Sequence, residues 1–401
     1  MHHLCVKVAA AQENIHRFRA VQDITHGLFN GLSHFPKEIE TLERLGVENY
    51  RELFAALKRH GIEADAEENG TIWAATAPYQ VEDLREHIAD LQRFGEPVEW
   101  LDRDAIRAQV DSPTYLAGLW LRRAAIVDPA RLCWGLRDAI LRLGVRLYEG
   151  CPVEKIARTG AGIELRCASG SVHARKAVFA TNAFRSPVFR MRRASIPVWD
   201  YALMTEPLSK TQLESVGWHN RQGLTDGGNQ FHYYRRTRDD RILWGGYDAI
   251  YHYGSRTDDR FQQRPESFAG LSQRFFQTFP QLEGLRFSHQ WGGPISTTTR
   301  FCMEVGTAYE RRVSWAIGYT GMGLVASRFG ARIALDLLDR PDSPHLALDF
   351  VRKRAFPWPP EPIRSIGVGL TQRALARADE NEGRRGLWLR TLDFLGLGFD
   401  S

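Results

Sequence analysis

The chain contains 401 residues, of which 43% are hydrophobic and 25% are charged, a balance typical of a soluble globular protein with one or two domains. Its net charge of +5 is small for this length, and no long basic stripe with interleaved aromatic residues is present. A nucleic-acid partner is therefore not expected. No run of about 18 apolar residues occurs, which predicts no membrane span.

The cysteines argue against a metal site and for a reducing environment. Five cysteines are scattered along the chain, and they form neither a CxxC pair nor a His/Cys cluster with zinc spacing. No bound metal is expected. An odd number of unclustered cysteines is typical of a reducing compartment, and the chain does not open with a signal-peptide pattern. We therefore predict a cytoplasmic location.

Three helices are predicted in the first part of the chain. The first starts at Pro36, because proline favours the first helical position, and it ends before Gly61. The second covers residues 78–94. The third follows Asp128, a residue type that caps helix N-termini, and Gly144 ends it.

Short strands follow the third helix. Alternating apolar residues predict strands over residues 145–148, 153–157, 163–167 and 171–174. Residues 177–180 form a short apolar run that leads into the polar pair Thr181 and Asn182. This pattern is typical of a buried parallel strand whose carboxyl end opens onto a ligand.

The middle of the chain is rich in β-strand and aromatic residues. Strands are predicted over residues 197–205, within 230–246 and over 286–291, with a helix near 266–279. A strand over 313–317 then runs into a glycine-rich turn, and a helix is predicted over 321–338.

The turn after residue 317 carries the strongest local motif. Residues 321–326 fit G-x-G-x-x-A, but no strand ending in an acidic residue follows about 20 residues later. This disfavours a primary pyrophosphate loop. Glycines and a helix N-terminus still allow close approach of a planar, partly anionic ring such as a flavin. A tight packing turn is the alternative.

Three further segments have two interpretations each. Residues 180–183 (Ala-Thr-Asn-Ala) fit a turn beside a cofactor phosphate or ribose, or an ordinary turn after a strand. Trp291, followed by two glycines, fits an aromatic wall for a ring or substrate, or a core residue. Tyr251 fits a residue lining the same cavity, or part of a local turn.

In this order, the motifs resemble the D-amino-acid oxidase/glycine oxidase superfamily of FAD-dependent oxidoreductases, the DAO family. The resemblance covers about residues 25–400 and is nearest to the branch that includes gamma-glutamylputrescine oxidase-like proteins. The motifs that carry it are Thr25-His26-Gly27, Asp128-Pro129-Ala130-Arg131-Leu132, Val153, residues 180–183, Thr205-Glu206-Pro207, Trp244-Gly245-Gly246, Trp291-Gly292-Gly293-Pro294 and Gly318-Tyr319-Thr320-Gly321-Met322-Gly323.

The resemblance implies an α/β (α+β) fold with an incomplete FAD-binding Rossmann-like lobe and an inserted β-rich substrate lobe. The FAD-binding lobe would be discontinuous, made of residues 25–183 and 301–355. Residues 184–300 would form the substrate or cap lobe, and residues 356–401 a helical tail. Residues 1–24 are predicted to be an atypical N-terminal segment.

The resemblance also implies a set of ligand contacts. Val153 would contact the adenine of FAD, and Thr181 and Asn182 its ribose and phosphates. The flavin ring would lie against Gly318, Gly321, Met322 and Gly323, while Tyr251 and Trp291 would face the substrate. The reaction implied is oxidation of a C–N bond of a small amine or amino acid by hydride transfer to flavin N5. No catalytic side chain, substrate identity or oligomeric state is assigned.

One departure from the family pattern concerns the first residues. Family members begin with a strand, G-x-G-x-x-G, a helix and a second strand, and residues 1–24 contain nothing comparable. We therefore expect a truncated or frame-shifted form of a longer enzyme. Two alternatives stay open, namely a non-catalytic remnant or binding protein that cannot hold FAD alone, and an enzyme whose first βαβ unit comes from a separate subunit.

Overall fold

A computed structural model describes residues 19–21, 24–160 and 162–397 of the chain. The prediction for residues 1–24 lies almost wholly outside these described residues. The strands are β1 (Arg19–Val21), β2 (Thr71–Ala75), β3 (Val98–Leu101), β4 (Ala117–Leu121), β5 (Ala124–Ile126), β6 (Lys155–Arg158), β7 (Ile163–Cys167), β8 (Gly170–Ala174), β9 (Ala177–Phe179), β10 (Ile196–Thr205), β11 (Gly223–Asp226), β12 (His232–Arg236), β13 (Ile242–Gly246), β14 (Phe287–Thr297), β15 (Glu304–Ala308) and β16 (Val313–Ile317).

The helices connect these strands and cover the sheets. They are α1 (Leu28–His34), α2 (Ile39–His60), α3 (Pro78–Arg93), α4 (Arg103–Gln109), α5 (Pro129–Arg142), α6 (Met191–Ala194), α7 (Lys210–Val216), α8 (Pro265–Thr278), α9 (Gly323–Asp339), α10 (Asp349–Arg352), α11 (Ile363–Glu380) and α12 (Leu387–Phe394). Short 3-10 helices cover Asp259–Gln262, Pro280–Leu282 and Pro344–Ala347.

The predicted helix ends are confirmed where a capping residue marks them. Asp128 accepts hydrogen bonds from the backbone N–H groups of Ala130 and Arg131 at the start of α5. Gly61 ends α2 in the left-handed conformation. The helix predicted from Pro36 begins three residues later, at Ile39.

The strand predictions are confirmed with one exception. The strand over 313–317 is β16, the strand over 163–167 is β7, and the predicted strand at 286–291 continues to Thr297 as part of β14. The strand predicted over 145–148 is wrong, because only an isolated bridge at Arg146 interrupts this loop. The four residues follow the αL turn at Gly144, and all four are half-buried or exposed, so they lie outside the buried core.

The largest sheet has eight strands in the order β14-β10-β13-β12-β11-β2-β4-β3. It therefore combines three strands from residues 71–121 with five from residues 196–297. The two groups meet at a parallel pairing of β2 with β11, which aligns Thr71 with Gly223. The predicted lobe boundaries stay a prediction, since this sheet draws strands from both sides of residue 183.

One face of the eight-stranded sheet forms the largest core of the described residues. Its strands contribute buried aromatic side chains such as Trp199 and Trp244, and α8 covers them with Phe268, Phe275 and other apolar residues. Full burial of one such side chain contributes about 1.5–3 kcal/mol, and the many side chains of this core together make this face a rigid platform. The opposite face near β10 and β14 carries a different set of residues, described below.

Two three-stranded sheets lie around residues 155–179 and 304–317. An antiparallel meander joins β6, β7 and β8, and a three-stranded sheet has the order β15-β16-β9. In the latter, β9 pairs in parallel with β16, as predicted for a strand of this type. Val178 in β9 is 38% exposed, however, so β9 is an edge strand among the described residues.

Candidate cofactor and substrate site

The glycine-rich turn between β16 and α9 is the centre of the candidate site. Gly318 and Gly321 adopt positive φ angles of 81° and 87°, a conformation that favours glycine. The backbone N–H of Thr320 donates to the carbonyl of Ser296 over 2.9 Å. This bond fixes the turn against the end of β14, so the turn and the eight-stranded sheet form one continuous structure.

The two glycines have different surroundings. A Cβ at Gly318 would overlap Cγ2 of Thr298, so Gly318 is a packing position. At Gly321 the nearest atom to such a Cβ is Cδ1 of Ile295, at 4.0 Å. Gly321 therefore borders open space next to the sheet, and a planar ring can approach its backbone.

The first turn of α9 adds electrostatic attraction to this space. Met322 is the N-cap of α9, its side chain makes no capping hydrogen bond, and Gly323 is the first helical residue. Helix N-termini carry free N–H groups and a partial positive charge, which attract anionic groups. The predicted flavin-contacting residues thus lie together in one turn.

Thr181 and Asn182 lie at the same edge of the three-stranded sheet as this turn. Because β9 and β16 run parallel, with Phe179 opposite Trp315, both strands end at one edge. Asn182 has a positive φ of 45°. The Oγ1 atom of Thr181 is buried and finds no hydrogen-bond partner within the described ranges. A buried hydroxyl without a partner costs about 1–3 kcal/mol, and a cofactor oxygen would relieve this cost.

The residues at this edge therefore fit FAD on two independent observations, the open space at Gly321 and the unpartnered hydroxyl of Thr181. Val153 lies apart from the turn in sequence and precedes β6. Its side chain is half-buried and packs against the cluster of β7, β9 and β16. Its predicted contact with adenine stays a prediction.

A second group of residues lies on the face of the eight-stranded sheet that carries Ile295. Residues directly opposite each other in neighbouring strands share a face, and β14 pairs Ile295 with Val198, Gly293 with Asp200 and Trp291 with Ala202. Since Gly321 is closest to Ile295, this face is the one next to the glycine turn. We call it the site face.

Trp291 lies on the site face and is only 3% exposed. It packs against a small cluster formed by Ala202, Met204, Leu243 and Tyr233. Its position agrees with both earlier interpretations, because it is a packed residue on the face next to the turn. Its predicted contact with substrate stays a prediction.

The hydroxyl of Tyr251 is engaged elsewhere in the structure. It donates to Oε1 of Glu361 over 2.6 Å and accepts from the backbone N–H of Ser255 over 3.0 Å. Burial and the hydrogen bond to Glu361 raise the pKa of Tyr251. In this structure Tyr251 anchors the segment before α11 to the strand-rich part of the chain, and its predicted contact with substrate stays a prediction.

The sequence analysis missed a buried acid on the site face. Asp200 is 7% exposed, and its Oδ2 accepts from the hydroxyl of Tyr233 over 2.6 Å while its Oδ1 accepts from the backbone N–H of Tyr201 over 2.9 Å. Burial raises the pKa of Asp200 to about 6 and that of Tyr233 well above its ordinary value. The sequence does contain a signal for this residue, because Asp200 is an acidic residue within the otherwise largely apolar sequence of β10.

Comparison with known proteins identifies the family. A family model described as FAD dependent oxidoreductase, DAO, matches residues 20–337. The chain belongs to the DAO family of FAD-dependent oxidoreductases. This membership confirms the predicted family, its mixed α/β fold class and FAD as its cofactor.

Individual DAO relatives are distant in sequence. Gamma-glutamylputrescine oxidoreductase of Escherichia coli strain K12 is 28% identical over 285 residues, which cover 70% of this chain and 64% of that protein. Our chain thus spans less than two thirds of that relative's length. Glycine oxidase of Geobacillus kaustophilus is 22% identical over 296 residues, covering 71% of this chain and 74% of that protein.

Solved structures share the DAO fold. The crystal structure of glycine oxidase from Geobacillus kaustophilus has a TM-score of 0.66 at 21% identity and covers 78% of this chain and 83% of that one. L-proline dehydrogenase from P. horikoshii has a TM-score of 0.63 at 18% identity, covering 79% and 83% of the two chains.

The described residues contain neither a membrane-spanning helix nor a metal-binding cluster. None of the helices within residues 19–21, 24–160 and 162–397 is both long and apolar enough to cross a membrane. In the same part of the chain, no three His, Cys, Asp or Glu side chains come together as a metal site would require.

Proposed function

We propose that this protein is an FAD-dependent oxidoreductase that oxidises a C–N bond of a small amine or amino acid by hydride transfer. The observation that carries the proposal is the turn at Gly321, which opens toward the site face of the eight-stranded sheet. A DAO-family cofactor held at this turn would have the site face in front of it, and a substrate would lie between them.

The chain's own residues would hold the cofactor at three places. The hydroxyl of Thr181 and the amide of Asn182 would bind ribose or phosphate oxygens. The backbone of Gly321, Met322 and Gly323 would lie against the ring, and the N-terminus of α9 would stabilise negative charge there. Val153 would contact the adenine. In this proposal residues 25–183 and 301–355 bind the cofactor, and residues 184–300 supply most of the substrate contacts.

The chemistry that FAD supplies when bound is acceptance of a hydride at flavin N5 from the carbon beside the amine nitrogen. The protein's part is then to orient that carbon and to exclude water, and no nucleophilic side chain is required. The packed cluster around Trp291, formed with Ala202, Met204 and Leu243, suits this task, because it offers a rigid apolar wall on the site face.

The substrate class in this proposal comes from relatives. One is named for gamma-glutamylputrescine and another for glycine, so the compounds named are an amine and an amino acid. A small compound of one of these classes is the proposed substrate here, and a cytoplasmic location belongs to the same proposal.

The experiment is anaerobic reduction of bound flavin. The purified chain is saturated with FAD, freed of excess cofactor and mixed with candidate amines and amino acids while its visible spectrum is recorded. Retention of a flavin spectrum followed by bleaching with one of the compounds supports the proposal. Retention without bleaching by any of them contradicts the catalytic part. A colourless protein contradicts the whole proposal and favours a non-catalytic remnant or binding protein.

A matched pair of variants locates the cofactor. Gly321→Ala adds a methyl group at the open side of the turn, where φ is 87°, and Gly144→Ala adds one after α5, where φ is 80° and no described atom lies within 4 Å. We expect Gly321→Ala to weaken FAD retention at least several-fold and Gly144→Ala, which has the same kind of backbone strain, to leave it unchanged. Equal retention in both variants would contradict the assignment of the turn.

A further inference from the structure

Asp200 is a buried acid without a positive partner in the described part of the chain. Its carboxyl group is 7% exposed, and no Lys, Arg or His nitrogen of the described residues forms an ion pair with it. A carboxylate has about four acceptor positions, and the two hydrogen bonds from Tyr201 and Tyr233 use two of them. Buried charges are normally paired, so a buried carboxylate with free acceptor positions calls for a cation.

The position of this carboxyl group relates it to the substrate. Asp200 faces Gly293, which has no side chain, and the next pair along the site face is Val198 and Ile295. Ile295 is the nearest residue to Gly321 across the open space. At about 3.4 Å per residue, Asp200 lies about 7 Å along the strand from Ile295. The carboxyl group is therefore near the substrate space but displaced from the turn.

Tyr233 reaches Asp200 only because of a glycine. The order of strands is β10-β13-β12, so the side chain of Tyr233 in β12 must cross β13 to meet Asp200 in β10. It crosses at Gly245, where a Cβ would lie 2.5 Å from the hydroxyl oxygen of Tyr233. Residues from three strands thus orient one carboxyl group. A residue that served only to fill space would not need this orientation.

We propose that Asp200, oriented by Tyr233, binds an ammonium group of the substrate other than the amine that is oxidised. The inference rests on the proposed function and names its substrate class as a compound with two amino groups. The reasoning is chemical: hydride is lost from the carbon beside a neutral amine, whereas a carboxylate favours the protonated amine. A cation at Asp200 is therefore the group that holds the substrate and not the group that reacts.

The other charged groups near Asp200 do not replace this cation. Asp248 and His232 are the charged or titratable side chains that influence the pKa of Asp200 through space. Asp248 pairs with Arg264 at 3.3 Å, and His232 is hydrogen-bonded to Asp226 at 2.7 Å. Each is engaged with its own partner. The carboxyl group of Asp200 has a pKa of about 6 and is therefore mostly ionised at neutral pH. In this form it is available to bind a cationic group of the ligand.

The test compares two compounds that differ in one group. Cadaverine carries an amine at each end, and in n-hexylamine a methyl group replaces one of them. Binding is measured by equilibrium dialysis to the FAD-loaded full chain after anaerobic reduction with dithionite, because a reduced flavin cannot turn the compounds over. We expect cadaverine to bind roughly 10-fold or more tightly than n-hexylamine, as a charge-assisted hydrogen bond would give.

Three variants separate binding from structure. Asp200→Asn keeps a group that accepts from Tyr201 but has no charge, and it should abolish the preference for cadaverine. Tyr233→Phe keeps the charge but loses its orientation, and it should reduce the preference without abolishing it. Gly245→Ala should resemble Tyr233→Phe. A wild-type protein without the preference, or an Asp200→Asn protein that retains it, would overturn the inference.

Failure of this inference is distinguishable from failure of the proposed function. If the chain does not retain FAD, the same dialysis is performed on the full chain without flavin, and the preference for cadaverine still reports on Asp200. If the flavin is retained and reduced by monoamines while Asp200→Asn binds both compounds like the wild type, the oxidoreductase proposal stands and the diamine inference falls.

Discussion

The eight-stranded sheet and the three-stranded sheet differ in how far protein contacts alone complete them. In the large sheet, hydrogen bonds from Tyr201 and Tyr233 hold the carboxyl group of Asp200 in place on the site face, and an extensive aromatic core covers the other face. In the small sheet, β9 exposes Val178, and Thr181 keeps a buried hydroxyl without a partner among the described residues. The large sheet is thus a preformed platform, whereas we propose that a bound ligand completes the small sheet.

The largest expected effect tests whether the glycine turn that joins the two sheets is needed for folding. Gly318→Ala places a methyl group against Thr298 and also forces alanine into a positive φ. Overpacking costs about 1–3 kcal/mol and the strained backbone a similar amount, so we expect a loss of about 4 kcal/mol in the free energy of unfolding. Urea denaturation of the full chain measures it.

Gly321→Ala is the matched control for this prediction. It has the same backbone strain at φ 87° but open space around the new methyl group. It should lose only the backbone part, about 1–2 kcal/mol. If both variants lose the same stability, contact with Thr298 does not distinguish the two glycines, and Gly318 is not a packing position.

The next largest effect concerns the buried acid of the large sheet. Asp200 has a pKa of about 6 in the folded protein and an ordinary pKa near 3.9 when unfolded. The folded state therefore holds the proton more tightly, and stability falls as the pH rises from the unfolded to the folded pKa. Above both values the ionised, buried carboxylate costs about 3 kcal/mol.

Asp200→Asn removes this cost, and we expect the variant to be more stable than the wild type by up to about 3 kcal/mol above the folded pKa. The difference should disappear as the pH approaches the unfolded pKa, where the wild-type carboxyl group is neutral in both states. Urea denaturation at a series of pH values measures it. A variant that is less stable than the wild type at every pH would mean that the carboxylate has a positive partner.

A smaller effect is expected at the contact between the C-terminal segment and the strand-rich part. Tyr251→Phe removes the hydrogen bonds to Glu361 and Ser255 and should cost about 1–2 kcal/mol. Hydrogen exchange should increase in α11, since Glu361 lies two residues before that helix and accepts a hydrogen bond from Ser365 in its first turn. Ser255→Ala is the comparison variant, because it keeps the bond between Tyr251 and Glu361 but loses the 3.1 Å contact with Tyr251 and the 2.8 Å bond from Arg364. An altered KM with unchanged stability would instead support the predicted substrate contact of Tyr251.

The sequence predicted features that depend on neighbouring residues, and it did not predict contacts between residues that are far apart in the chain. The cap at Asp128, the stop at Gly61 and the strand–glycine–helix order around Gly318 are local, and they were predicted. The mixed sheet was not, because β2 and β11 pair across some hundred and fifty residues, and no local pattern encodes that choice. Asp200 and Tyr233 form a hydrogen bond across an intervening strand, so the sequence around either residue does not predict the other as its partner.

The smallest effect gives the sharpest contrast between the two sheets. Thr181→Val removes a buried hydroxyl that has no partner in the described ranges and keeps the shape of the side chain. Without FAD the variant should be as stable as the wild type or more stable, since a buried unpartnered hydroxyl costs about 1–3 kcal/mol. With FAD it should bind the cofactor about 5- to 10-fold more weakly, the equivalent of one lost hydrogen bond.

Thr225→Val in the large sheet should behave in the opposite way. Its hydroxyl donates to the backbone carbonyl of His232 over 2.9 Å, so the variant leaves that bond unmade. We expect a loss of about 1 kcal/mol in stability and unchanged affinity for FAD. Fluorescence titration with FAD and urea denaturation measure the two quantities in both variants. If Thr181→Val lost stability and kept its FAD affinity, as expected for Thr225→Val, the small sheet would be complete without its ligand, and the contrast between the two sheets would be wrong.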